Sequence, residues 1–279
     1  MSVLSWTKVG AMDASDVKVK ALLYGDSGAG KTTAGATAPK PCYLLTEANG
    51  LPSIRQANPD AVVVQASDMD TVRQFFKAAM DGTLAKETGC QTIVLDSLTE
   101  LQRMLRDEIV ASRKGQVGGE AFSLADWGTL TDRMRKLVRT VRDLPFHVVC
   151  IALASSENDE ATGQRYVQPS FDGRKLPNEI AGYFSVVGYV YRERQKGEDG
   201  TVTVAHRVLL AGPPTLLTKS LPGLDPVEQP NISAWIAKLH GHTVPEAATT
   251  TPPAASLSVE APDPTQQQTA RRRRTPAAQ

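Results

Sequence analysis

Aromatic residues make up only 5% of the 279 residues, which argues against a large aromatic-lined ligand pocket. Cysteine is scarce too, with three residues at Cys42, Cys90 and Cys150. That odd number at wide spacing matches no disulfide framework and no zinc pattern. Cys42 and Cys150 stand in strand-like runs, so buried thiols and a reducing, cytoplasmic setting are expected. The longest apolar run is 148–154 (VVCIALA), far below the roughly 20 residues of a membrane-spanning helix. The start, MSVLSWTKVG, lacks a basic-then-apolar secretory pattern, and no membrane partner is expected. Net charge is nearly absent, at +1. Residues 243–279 hold four of the 31 basic and three of the 30 acidic residues, which leaves the remainder balanced. A polyanion must therefore be met by a local patch and not by the field of the whole chain.

What is present is a regular alternation. Residues 18–24, 42–46, 61–65, 92–96 and 147–154 are largely apolar runs of strand length, as in strands covered on both faces. Between them, 69–80 carries helical spacing at Val72, Phe75, Phe76 and Ala79. Ser97 with Glu100, and Ser123 with Asp126, read as capping boxes that start two amphipathic helices. The fold class is therefore α/β with a mainly parallel sheet. Residues 183–192 and 201–210 flank the turn cluster 196–200 and read as a long hairpin, so the sheet is expected to end in antiparallel strands. Residues 232–239 form a last helix behind the N-cap Asn231. One domain over 1–242 is followed by a Pro/Ala/Thr/Gln-rich tail, 243–279, whose composition predicts disorder. It ends in the cluster Arg271 to Arg274, a tethered set of cations suited to phosphates or an acidic partner.

Gly25-Asp26-Ser27-Gly28-Ala29-Gly30-Lys31-Thr32 fits GxxxxGK[ST] in full, between an apolar strand and a helix. Glycines let successive N–H groups turn inward toward phosphate oxygens, and the helix that follows, with Thr33, adds its positive end. In this chemistry Lys31 reaches the outer phosphates of ATP and the Thr32 hydroxyl binds Mg²⁺. Lys31 is expected to face solvent until phosphate arrives. The second acid for the metal is Asp96, which ends the run TIVLD. Ser97 follows it, whereas many ATPases of the AAA+ type carry a catalytic Glu at that place. Glu47 is the candidate to orient water, because a carboxylate at the end of a parallel strand faces the ligand crevice. Glu100 competes, but the capping box accounts for it.

The order Gly25–Thr32, Glu47, Asp96-Ser97 resembles the core of the RecA-like ATPases. More narrowly it is similar to the phage-encoded RecA-like proteins of the single-strand annealing and recombination group. The segment from Pro169 to Lys175, and Thr218-Lys219-Ser220 before Pro230-Asn231-Ile232, are similar to later parts of that group. The resemblance covers roughly 18–240. It implies Glu47 as the acid that activates water and Asp96 as the Mg²⁺ acid. It also implies a single strand between the two motif strands. It implies a homo-oligomeric ring or filament with ATP between subunits, and Lys219 as a cation reaching a neighbour's γ-phosphate. A single-strand-binding protein is a further implied partner. The chain departs from the family at the end of the fifth strand, where Ala152-Leu153-Ala154 stands in place of a polar sensor.

In that arrangement two loops face single-stranded DNA. The first carries Arg113 and Lys114; the second, over 155–175, carries Arg165, Tyr166, Phe171, Arg174 and Lys175. Cations with a few aromatics suit phosphate pairing and base stacking. Arg135, Arg139 and Arg142 line the face of a helix opposite its apolar stripe and read as a solvated face. Two other readings stand beside a DNA-acting ATPase. One is a nucleotide-dependent loader or switch. The other is a small-molecule P-loop kinase, which needs arginines closing over the phosphoryl donor.

Overall fold

Strands that are apolar on both sides need a helical layer on each face, and this chain supplies two. The computed structural model describes residues 17–112, 122–158, 163–173, 175–196 and 202–242. The strands are β1 (Lys20–Gly25), β2 (Pro41–Leu45), β3 (Val62–Gln65), β4 (Thr92–Asp96), β5 (His147–Asn158), β6 (Arg165–Pro169), β7 (Val186–Lys196), β8 (Val202–Leu209) and β9 (Val227–Glu228). The helices are α1 (Lys31–Ala36), α2 (Leu51–Ala57), α3 (Met69–Met80), α4 (Thr83–Thr88), α5 (Leu98–Ala111), α6 (Leu124–Asp143), α7 (Leu176–Gly182) and α8 (Ile232–Leu239). None of the described helices is long and apolar enough to cross a membrane. The chain divides into Met1–Val244 and Pro245–Gln279. The second unit, with Arg271 to Arg274 and nearly all of the tail expected to be disordered, lies outside the described residues.

The sheet runs β3-β2-β4-β5-β1-β7-β8-β9, with β6 paired to β5 off this path. Pairs from β3 through β7 are parallel, and β8 and β9 are antiparallel. The fold is α/β with a mainly parallel sheet and antiparallel C-terminal strands. The two motif strands β1 and β4 are separated by β5 alone. Alternation within each strand feeds both cores. Leu22 and Tyr24 of β1 pack in the cluster with α3, α5, α6 and α7 residues, while Ala21 and Leu23 pack with α1 and α8. Register aligns the strand ends. Leu45 stands beside Asp96, Asp96 beside Ile151, and Gly25 beside Leu153, so the motif residues meet on one edge.

Local differences from the sequence reading have local causes. The 97–100 capping box forms only in part: Ser97 Oγ accepts the Glu100 N–H at 3.2 Å. The Ser97 N–H is already donated to Thr46 Oγ1 at 3.0 Å, which leaves the Glu100 carboxylate to pair with Arg103 at 3.0 Å. The box at Ser123 and Asp126 forms fully. Helix α1 stops at Ala36, where Thr37 Oγ1 donates to the Ala34 carbonyl at 2.6 Å. Strand β5 runs four residues past 154 and folds back as a hairpin with β6, so much of the expected 155–175 loop is strand.

His147 gives the fold a pH response. Its buried ring accepts the Val19 N–H through Nδ1 at 3.1 Å. Burial, aided by the nearby Lys18, His240 and Lys20, pushes its pKa down to about 4. The folded state keeps the ring neutral while the unfolded chain takes up a proton below about pH 6.5. Stability is therefore present above that pH and is lost as pH falls toward 4, by roughly 3 kcal/mol from this group. Urea denaturation of the parent beside His147→Gln should show the difference. Parallel pH profiles for the two proteins would remove His147 as the cause.

Candidate nucleotide site

The loop between β1 and α1 curls through two left-handed glycines, Gly28 at φ 75° and Gly30 at φ 97°. At Gly30 a side chain is excluded on a second ground, since a Cβ would lie 2.7 Å from His206 Nδ1. Lys31 follows as the first residue of α1 and differs from expectation. It is buried, and its ammonium donates to the Gly25 carbonyl at 2.8 Å and the Asp26 carbonyl at 2.7 Å. A flexible cation in a ring of carbonyls satisfies itself on its own loop. Burial pushes its pKa down, and Asp96 and Asp26 oppose this.

Across the site the Thr32 hydroxyl donates to Asp96 Oδ2 at 2.6 Å. Burial pushes the Asp96 carboxyl up, against the Thr32 hydrogen bond and the Lys31 charge, and the like charge of Glu47 adds to the rise. A buried carboxylate held above its ordinary range is relieved by a cation. The two hard oxygens of Thr32 and Asp96 are the donor type Mg²⁺ takes, so these residues fit that ion. Tyr43 donates its phenol to the Thr32 carbonyl at 2.7 Å and ties α1 to β2. Thr46 ties β2 to β4: its N–H and Oγ1 donate to the Asp96 carbonyl at 2.8 and 3.0 Å. The Asp96–Ser97 peptide is cis.

These residues surround a cavity of about 480 Å³, lined among others by Lys31, Thr32, Glu47, Asp96, Arg103 and His206. Glu47 stands just past β2 at the entry to the 3-10 turn Ala48–Gly50 and makes no capping bond. It is exposed and faces the cavity. Glu100 is tied to Arg103 and does not line it. Sequence reasoning missed Tyr43, Thr46, Arg103 and His206. Thr46 had a signal, a hydroxyl beside the strand-end acid. His206 had none, being 177 residues from the carbonyl it touches.

A model of the AAA domain family matches residues 17–219. The chain belongs to the AAA domain family. It is thus a P-loop ATPase domain that binds nucleotide, with Gly25–Thr32, Glu47 and Asp96 inside the matched span. Ser97 still departs from the Asp-Glu pattern common among AAA+ ATPases. Among solved structures the chain is similar to the flagellar accessory protein FlaH from Methanocaldococcus jannaschii. Identity is 9%, 72% of this chain and 79% of that chain are covered, and the TM-score is 0.34. No curated protein matches.

The DNA candidates of this AAA domain fall into separate groups. Arg113, Lys114 and Arg174 lie outside the described residues. Arg165 and Tyr166 sit on β6, Arg165 exposed with Nη2 donating to Ser156 Oγ at 3.0 Å, and the Tyr166 phenol donating to Gln164 Oε1 at 3.3 Å. Lys175 is exposed just before α7. Phe171 is half-buried and packs against the core. Helix α5 pins its segment: Thr99 donates to the Ser170 carbonyl at 3.2 Å, and the Gln102 amide brackets the Asp172 backbone at 2.9 and 2.7 Å. Lys219 donates to the Phe184 carbonyl of its own chain at 2.7 Å. Of the arginine stripe, Arg135 bridges to Glu179 at 2.8 Å and Arg142 to Asp143 at 2.7 Å, while Arg139 donates to the Tyr183 hydroxyl at 3.3 Å.

Proposed function

We propose that this AAA domain binds ATP with Mg²⁺, hydrolyses it, and acts on single-stranded DNA in phage recombination or annealing as a homo-oligomer. The observation that carries the ATPase reading is the meeting of Lys31, Thr32, Asp96 and Glu47 around one cavity. Thr32 and Asp96 would hold the metal, which neutralises phosphate charge when bound. Lys31 leaves its loop carbonyls for phosphate oxygens. Glu47, exposed toward the cavity, accepts the proton of the attacking water. Lys219 is the proposed cation in trans; to act it must exchange the Phe184 carbonyl for a neighbour's phosphate.

Support for DNA comes from the resemblance together with β5. Its residues Ile151 to Leu153 line the cavity. The same strand continues past the P-loop edge into the hairpin that carries Arg165 and Tyr166. One strand thus touches both the nucleotide cavity and the exposed cation. A nucleotide-dependent loader or switch fits the same geometry with slower turnover. The helix arginines that the kinase reading would call on are paired away from the cavity: Arg133 with Glu108 at 2.7 Å, and Arg135, Arg139 and Arg142 as described.

ATP turnover measured with and without single-stranded DNA tests the proposal. Stimulation is expected, with binding that weakens steeply with salt. Arg165→Ala together with Lys175→Ala should flatten the salt slope by about 0.7 for each phosphate that is no longer neutralised. An unchanged slope would take the β5–β6 hairpin and Lys175 out of the interface. Binding of ATP without turnover would favour the switch, and a requirement for a phosphoryl acceptor the kinase.

A further inference from the structure

The phosphate loop is held from outside by a residue that no part of its own motif supplies. His206 of β8 places Nδ1 2.7 Å from the Ala29 carbonyl. A carbonyl only accepts, so Nδ1 carries the proton, and in the neutral ring Nε2 is left as an acceptor. The imidazole also lies against Gly30, where it excludes any Cβ, and it lines the nucleotide cavity. The Ala29–Gly30 peptide is planar and trans, so its C=O and the following N–H point to opposite sides. Fixing the Ala29 carbonyl on His206 aims the Gly30 N–H the other way, away from that ring. Among the described residues that N–H has no partner. Strand β8 is held in the sheet at this point, where His206 pairs in register with Arg192 of β7.

We propose that His206 is a positioning residue for triphosphate binding. It orients the Ala29–Gly30 peptide so that the Gly30 N–H is already directed at a phosphate oxygen before ATP enters. A glycine-rich loop is otherwise free to rotate this peptide, and ordering it on binding would cost affinity. This inference rests on the nucleotide-binding reading above and adds a role for a residue outside the motif.

The test is ATP binding by the parent, His206→Ala, His206→Asn and His206→Gln, by calorimetry, with melting curves taken without nucleotide. An Asn amide N–H falls near the position of Nδ1, whereas a Gln amide reaches toward that of Nε2. His206→Ala should weaken ATP by about tenfold, the worth of one oriented hydrogen bond. Asn should restore affinity to within about threefold of the parent, and Gln should not. In turnover the loss should fall on KM with kcat nearly kept. Should the alanine variant fail to fold, the Asn and Gln variants decide by the same contrast. Equal affinity in all four proteins, or equal loss in Asn and Gln, would overturn the proposal. Failure of the parent to bind ATP would instead overturn the nucleotide reading, so the two are distinguishable.

Discussion

Lys31→Ala is expected to lower ATP turnover by at least about 10²-fold, the scale on which a donor to transition-state charge is lost. The structure adds an expectation for stability. Lys31 is buried, with its ammonium on the Gly25 and Asp26 carbonyls. The downward push on its pKa shows that burial disfavours its charge. Removing the side chain deletes two hydrogen bonds and also a buried charge, two effects of opposite sign. Without nucleotide the variant should melt within about 1 kcal/mol of the parent. Ligand binding stabilises a folded state by an amount that grows with the logarithm of its affinity. ATP should therefore raise the melting temperature of the parent and leave that of the variant unmoved. A Lys31→Ala protein that hydrolysed ATP at the parent rate would place the phosphate site elsewhere.

Glu47→Gln should bind ATP with nearly unchanged affinity and turn it over about 10²–10⁴-fold more slowly, the range for loss of a general base. The amide keeps the size of the side chain and cannot take a proton. Glu47 makes no capping bond, and its charge acts on Asp96, whose pKa it raises. Glu100→Gln is the matched control. It weakens an exposed pair with Arg103, worth at most about 1 kcal/mol, and should leave turnover close to that of the parent. Slow turnover in Glu100→Gln beside an active Glu47→Gln would exchange the two assignments.

The metal prediction follows from the same carboxylates. Asp96 is pushed upward by burial and by Glu47, so protons compete with a cation for it. Affinity for Mg²⁺ should weaken as pH falls toward the raised pKa of Asp96, and Asp96→Asn should remove that dependence. Calorimetric titration of the ion in the presence of a non-hydrolysable ATP analogue reads both.

The phosphate loop was legible in the sequence because its chemistry is local. Gly28 and Gly30 take positive φ within one turn, and Lys31 and Thr32 follow on the next, so the residue types the curl requires stand together in the chain. Of the five strands read from apolar runs, β1, β2, β4 and the first half of β5 were legible for a related reason, since burial on both faces requires apolar side chains at nearly every position. Helices α2 and α7 were not. Each is seven residues long with Pro near its start, too brief for a 3.6-residue period to show. Other features depended on residues far apart in the chain. Thr46 took the Ser97 N–H and left Glu100 to Arg103, which undid an expected capping box. Helix α5 pinned 170–172 and set Phe171 against the core. Strand β7 entered the sheet parallel beside β1, and its hairpin partner β8 brought His206 onto Ala29. Local periodicity records which face of an element is apolar. It holds no record of which remote backbone group a side chain meets once the layers close, and in this protein that is how the motif acquired its outer support.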